Sequence, residues 1–375
     1  HLENGNGGLN KVATRVTIPS FTLNRRMERT TKTLAAILVE QNKDLIVDEI
    51  ELPQELGVGQ VKVKLITSGI CGSQIGEIKG VKGHDKYLPH LMGHEGFAEV
   101  IQIGPGVKHV QRGDNVVLHW RPGAGIQSET PHYKWNNKTV NAGWVTTFNQ
   151  HAVVSENRCT KVPKGTNPDI AALFGCAVTT GFGVIENNAK LKMGESIVVF
   201  GAGGIGLNIV QGASLVSGSP IIAVDRFDKR LELAKQMGAT HCINSDEVNA
   251  EEKISEILEG QTLDVFVDNT GIPKIIEMGY QLVNKKGRVV LVGVPKKGNE
   301  ISLYSLPLHF GKQLIGSEGG DCMPQYDILR YLRLEEQGMI NLRDLISSRY
   351  KIHEINEAIR QMCDGETAGR IIIEF

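Results

Sequence analysis

The sequence predicts an α/β chain in two parts, a barrel-like antiparallel β-module and a doubly wound parallel sheet. Three observations carry this expectation. At 375 residues the chain exceeds what a single hydrophobic core usually organises. Its first part is written in short, alternating β-runs and its second in continuous apolar runs with helical patterns between them. A glycine-rich turn stands at the head of the second part, directly after an apolar run.

Residues 1–26 are polar and begin rich in Gly and Asn, and Met27 follows as a natural initiator. They read as an expression remnant or a mobile tail. From about Lys32 to Val117 the β-runs Leu34–Val39, Gln60–Ile66, Gly96–Gly104 and Asn115–His119 are separated by Gly, Pro and Asp. Period-two alternation in several of them predicts a twisted, antiparallel, barrel-like module. From Glu195 the rhythm changes. Ile197–Phe200, Ile221–Val224, Val265–Val267 and Val289–Val292 are continuously apolar, and helical stretches such as Lys229–Met237, closed by Gly238, lie between them. That is βαβ punctuation around a parallel sheet buried on both faces. Beyond about Cys322, a helical stretch at Tyr326–Gln337 and a β-run at Arg370–Glu374 look unlike the preceding units and are expected to return to the first module. The expected organisation is a catalytic domain formed by 27–178 and 321–375 around a dinucleotide-binding domain at 179–320.

Charge excludes several classes of function. Forty-one basic residues against forty-two acidic leave no basic field to recruit nucleic acid or an anionic membrane. No segment approaches the roughly 18 uninterrupted apolar residues of a membrane span, and the N-terminus lacks a secretory apolar region, so a soluble cytoplasmic protein is expected. Six cysteines scattered at 71, 159, 176, 242, 322 and 363 form no compact disulfide framework, which favours reduced thiols available for metal.

Val198-Val199-Phe200 runs into Gly201-Ala202-Gly203-Gly204-Ile205-Gly206. Gly201 permits a tight turn off the strand, Gly203 lets backbone approach a pyrophosphate, and Gly206 allows close helix–strand packing. The helix that follows aims its first amides at the phosphates. Nineteen residues after Gly206, Ile221-Ile222-Ala223-Val224 ends in Asp225, where a carboxylate accepts the hydroxyls of the adenosine ribose and repels a 2′-phosphate. NAD is expected over NADP, with Arg226 as the neighbour able to greet a phosphate instead.

Cys71, His94 and Cys176 offer two thiolates and one imidazole from three distant clusters, with no fourth cysteine nearby. That donor set leaves one position on a zinc ion free, the arrangement of a catalytic rather than a structural site. Both cysteines sit among glycines and small polar residues, where a packing cysteine gains little. Glu95, beside His94, supplies a carboxylate that shapes the coordination sphere or enters it transiently.

Through Gly69-Ile70-Cys71-Gly72-Ser73, Gly93-His94-Glu95, Gly175-Cys176-Ala177-Val178-Thr179-Thr180-Gly181 and Phe200–Leu207, residues 32–375 resemble the zinc-dependent medium-chain alcohol dehydrogenases. The resemblance implies a GroES-like β-barrel catalytic domain joined to a Rossmann domain, with one catalytic zinc in the cleft between them. It implies Ser73 as the hydroxyl that relays the substrate proton. It also places Thr180 and the Val292–Val294 backbone near the nicotinamide, Arg230 near the adenosine ribose and Arg370 on the pyrophosphate. Cysteine as third ligand is similar to the alcohol dehydrogenase branch rather than the polyol or threonine branch. Homodimers or homotetramers are expected by the same analogy, and Ile301–Leu306 is a candidate edge strand for pairing across a two-fold axis, or an internal one.

The chain also departs from that family. Gln74 stands where relatives commonly carry Asp, and Gly76 where some place a histidine that passes the proton to water, so the proton needs another exit. Segment 119–150 lacks the four cysteines that bind a structural zinc in many relatives, so a second metal is not expected. It holds Trp120, Trp135 and Trp144 with His119, His132 and Tyr133, either as an aromatic staple or as the wall of a substrate entrance. The expected chemistry is hydride transfer between a zinc-bound alkoxide and NAD, reversed as reduction of an aldehyde or ketone. A polyol, sugar or amino-alcohol dehydrogenase on the same scaffold is the alternative, and a non-catalytic nucleotide-binding protein the more distant one.

Overall fold

The computed structural model describes residues 31–365 and 367–375. The expectation for residues 1–26 lies outside the described residues. Three sheets are present among those described. In the first module, strands Lys32–Leu38 and Ile46–Glu51 pair antiparallel in a five-stranded sheet. A seven-stranded sheet runs through Gln60–Gly69, which pairs antiparallel with Gly96–Ile103 on one edge and with Arg370–Glu374 on the other. The C-terminal strand thus returns to the first module, with Ile372 opposite Gly69. Short antiparallel strands with one face inward produce the alternating text of this half.

The third sheet is parallel, with six strands in the order His241–Asn244, Ile221–Asp225, Ile197–Phe200, Leu263–Asp268, Val283–Leu291 and Gln313–Gly316. Its first strand in the chain lies third, so chain direction across the sheet reverses beside Ile197–Phe200, and such a switch point opens a crevice at the strand ends. Ile197 and Val199 pack with Leu207, Val210 and Ala213 of the helix Gly204–Leu215, while Val198 and Phe200 pack with Ile254, Leu258 and Tyr280 on the other face. Each such side chain stabilises the fold by about 1.5–3 kcal/mol. Burial on both faces is why the strand text shows no alternation. One core runs on from Phe97 and Val117 through Phe174, Val178 and Phe182 to Val199 and Val265, joining barrel and parallel sheet.

The helix expected at Tyr326–Gln337 spans Pro324–Glu336. Pro324 suits the first helical position, and the Met323 amide donates to Asp327.

Among the described residues, 301–305 pair with no strand of this chain, so Ile301–Leu306 is not an internal strand, and the edge of the parallel sheet is Gln313–Gly316. Side chains tie the segment down, with the Ser302 amide donating to Glu277 and the Tyr280 hydroxyl donating to the Tyr304 carbonyl. Among the described residues no helix is long and apolar enough to cross a membrane.

Candidate active site

Three separate elements deliver the ligand candidates. The strand Gln60–Gly69 runs through Ile70 into Cys71, which caps the helix Gly72–Ile78. Cys176 caps the helix Ala177–Gly183 in the same way. His94 lies in the turn between His90–Leu91 and Gly96–Ile103, reached through Gly93 at φ 91°. Their ligand atoms all lie within 4.8 Å of one another, and the two sulfurs are 3.9 Å apart with both thiols free. Two sulfurs bound at tetrahedral zinc would stand roughly 3.8 Å apart, so this spacing fits an ion without rearrangement. His94 Nε2 is buried with no hydrogen-bond partner, a costly condition that a metal relieves.

Glu95 accounts for Gly69 and, together with the Leu118 carbonyl, for Gly175. A Cβ on Gly69 would meet the Glu95 carboxylate at 2.5 Å, and one on Gly175 would meet the Glu95 backbone at 2.7 Å. The carboxylate is fully buried, accepts from the Ala177 amide at 3.2 Å and lies 3.6 Å from Arg370 Nε. Burial pushes its pKa up, and the Arg370 charge opposes the rise. The Arg370 guanidinium also donates to the Ile70 carbonyl and to Cys71 Sγ. The two sulfurs share a hydrogen bond that either can donate, and this contact holds the Cys71 thiol well below its ordinary value against burial, with Arg370 adding to the effect. The same contact, together with burial, pushes Cys176 up. One thiolate therefore forms readily, and the second proton must leave as metal binds.

Gln74 bridges the two halves of the ligand set, accepting from the Cys71 amide at 2.7 Å and reaching His94 Nδ1 at 2.6 Å. As placed, the Gln74 amide nitrogen donates to Nδ1 while its oxygen holds the Cys71 amide; ligation through Nε2 requires a proton on Nδ1, so the amide must turn its oxygen to the ring when metal binds. Because an amide orients the ring less firmly than a carboxylate, Gln74→Ala is expected to weaken zinc affinity by about 10- to 100-fold, read by competition with a chromophoric chelator.

Cys71, His94 and Cys176 line a cavity of about 660 Å³ together with Ser73, Thr180, Ile205, Val292 and Val294. Ser73 is exposed into it. These expected residues are brought together. The glycine loop stands beside them: Gly201 takes φ 97°, and a Cβ on Gly206 would meet the Gly201 carbonyl at 2.0 Å, so the helix enters against the turn itself. Gly203 faces open space, leaving backbone accessible. Gly204 abuts Arg370, whose Nε would lie 2.7 Å from an added Cβ; at 2% exposure Arg370 is wedged between the loop and Cys71.

Asp225 closes the strand Ile221–Asp225 and accepts from the amides of Ala202, Arg226 and Phe227. A carboxylate offers about four acceptor sites, so capacity for a ribose hydroxyl remains. Arg226 points elsewhere, its Nε shared between the two carboxylate oxygens of Asp246. Arg230 sits 3.7 Å from Asp225, over the Phe227 ring, and donates to the Thr367 carbonyl.

Segment 119–150 divides its aromatics between both expected roles. Tyr133 is buried and accepts from the Val153 amide, Trp135 donates to Asp48 and Trp144 donates to the Ser128 carbonyl, so these three staple the lobe. His119 is buried between the Arg121 carbonyl and Thr160, and burial lowers its pKa to about 4, so the ring is neutral. His132 is exposed. Trp120 alone among the three tryptophans lines the cavity. Sequence reasoning passed over the cavity's rim, Glu77 and the loop Gly80–Tyr87. The only sequence signal was a polar, glycine-broken run between a helix and a two-residue strand.

Comparison with known proteins agrees with this geometry. Residues 57–164 match the family model described as alcohol dehydrogenase GroES-like domain, and residues 204–335 the one described as zinc-binding dehydrogenase. An S-(hydroxymethyl)glutathione dehydrogenase of Synechocystis is 30% identical over 370 residues, covering 91% of this chain and 99% of that one. An NDMA-dependent alcohol dehydrogenase of Amycolatopsis methanolica is 30% identical with the same two coverages. The crystal structure of benzyl alcohol dehydrogenase from Acinetobacter calcoaceticus superposes with a TM-score of 0.82 at 29% identity, covering 92% of this chain and 99% of that one. The chain therefore belongs to the zinc-dependent medium-chain alcohol dehydrogenase family.

Proposed function

We propose that this chain transfers a hydride between an alcohol, or its aldehyde or ketone, and NAD, using one zinc ion held by Cys71, His94 and Cys176. The observation that carries the reading is the convergence of those three donors, within 4.8 Å of one another, on a cavity they share with Ser73, Thr180 and Val292. Zinc supplies a Lewis acid that lowers the pKa of an alcohol hydroxyl, and nicotinamide supplies the hydride acceptor. Ser73, exposed into the cavity, accepts the substrate proton. Thr180, Val292 and Val294 hold the reactive ring against the substrate carbon, and Trp120 walls the far side. Glu95, fixed by Arg370 and the Ala177 amide, shapes the coordination sphere.

NAD is favoured over NADP by the Asp225 carboxylate, 6% exposed beside the glycine loop, while Asp246 holds the Arg226 guanidinium that a 2′-phosphate would need. Cofactor contacts through Gly201, Gly203, Gly204, Ile205, Gly206, Arg230 and Arg370 belong to the same proposal. A polyol, sugar or amino-alcohol remains the second substrate class, favoured by the polar rim of Gln41, Lys82, His84 and Asp85. A homodimer or homotetramer is supported by the unpaired segment 301–305 and by exposed Tyr304 and Phe310.

The test is kcat/KM for primary alcohols, polyols and amino-alcohols on zinc-loaded protein with each cofactor. NAD-linked oxidation of a simple alcohol is expected to dominate, and Asp225→Asn should cut the NAD to NADP preference by about tenfold or more, a change of roughly 1.4 kcal/mol. No oxidation of any alcohol by zinc-loaded protein would remove the reading.

A further inference from the structure

We propose that Glu77, positioned by His90 and Asp85, is the proton-relay residue that carries the substrate proton from Ser73 out of the cleft to solvent. This rests on the hydride-transfer reading above and supplies the exit that Gly76 cannot. Ser73 and Glu77 are four residues apart in the helix Gly72–Ile78, so they share a face with their Cβ atoms about 5–6 Å apart. Both line the same cavity as Cys71 and His94. A span of that size is bridged by the side chains with one water between them. Glu77 is the first carboxylate beyond Ser73 on that face and remains 46% exposed, so a proton arriving there can pass to bulk water.

A second layer holds the carboxylate in place. His90 Nε2 lies 3.8 Å from Glu77 and 2.8 Å from Asp85, and His90 Nδ1 is 2.9 Å from the Leu91 carbonyl. The Leu91 carbonyl and the Asp85 carboxylate fix the plane of the His90 ring beside Glu77. The charged groups facing Glu77 are His90, Asp85, Lys82 and His94. Burial raises the Glu77 pKa against the pull of His90, His94 and Lys82. Protons balance at each step: Ser73 gains one from the alcohol as its own passes to Glu77, and Glu77 returns to carboxylate by releasing one to water.

The experiment uses zinc-loaded protein with NAD and trifluoroethanol, which binds without being oxidised, and follows proton release by stopped flow with a pH indicator. Glu77→Gln is expected to keep the zinc content, the NAD affinity and the release amplitude of the wild type while slowing release by about tenfold or more. Its kcat should fall with little change in KM, and imidazole buffer should restore part of the rate. Unchanged release kinetics in Glu77→Gln overturns the relay. So does a second zinc per wild-type chain that Glu77→Gln loses, because the carboxylate would then be a ligand beside Asp85 and His90. Absence of proton release from the wild type instead overturns the dehydrogenase reading itself.

Discussion

Replacing Cys176 by alanine is expected to abolish zinc binding and alcohol turnover together, while NAD still binds with an affinity within about threefold of the wild type. The residue contributes almost nothing else to the fold. It is 4% exposed at the head of a seven-residue helix, and its sulfur bonds only to Cys71. Its loss leaves a small cavity worth about 1 kcal/mol. As a ligand it cannot be replaced, because Cys71 and His94 alone make a two-donor site and zinc is held by at least three protein ligands in catalytic centres. Without the electrophile the reaction loses several kcal/mol of charge stabilisation, and turnover is expected to fall by about a thousandfold or more. The glycine loop and Asp225 lie on the parallel-sheet part of the chain, where the Ala202 amide donates to Asp225. Metal analysis, steady-state kinetics and an NAD titration on one preparation check all three expectations. A Cys176→Ala protein that keeps one zinc and full activity would remove Cys176 from the site.

How far the sequence could be read depended on whether a signal was local. Gly201, Gly206 and Asp225 are legible because their spacing is enforced by one turn, where the Gly206 Cα packs on the Gly201 carbonyl and Asp225 accepts from the Ala202 amide. Cys71, His94 and Cys176 are legible for a different reason, since glycines beside a cysteine mark backbone brought close to something bulky, here Glu95. Burial of Arg370 between Glu95, Cys71 and Gly204 was not legible, because nothing in Arg370-Ile371-Ile372-Ile373 marks which side chain faces the cleft. Nor was the grouping of Glu77, Asp85 and His90, assembled by a loop of no regular period.

Arg370→Ala is expected to destabilise the zinc-free protein by about 3–5 kcal/mol, the cost of leaving a buried charge without its partner. Glu95 is fully buried and Arg370 2% exposed; among the described residues the guanidinium is the only cation an ion pair places against that carboxylate. The substitution also strips a donor from the Ile70 carbonyl and from Cys71 Sγ. The pH dependence distinguishes a lost ion pair from lost packing. Burial already raises the folded pKa of Glu95 above its ordinary value of 4.5, and Arg370 opposes that rise, so its removal raises the folded pKa further. A raised folded pKa means the folded state binds the proton more tightly than the unfolded one. Stability from this group is therefore present below the unfolded pKa and is lost as pH rises through the folded pKa. The gap between variant and wild type should widen as pH rises through the wild-type folded pKa, which lies above 4.5, and narrow in acid, whereas a packing defect would cost the same at every pH. Arg370→Lys should recover part of the loss, since it restores charge without the fork that reaches Ile70 and Cys71 together. Urea midpoints for the three proteins at pH 5 and pH 8 make the comparison. An Arg370→Ala deficit that does not change between those two pH values would mean that Glu95 is already protonated in the wild type, and that Arg370 is held by the thiolate instead.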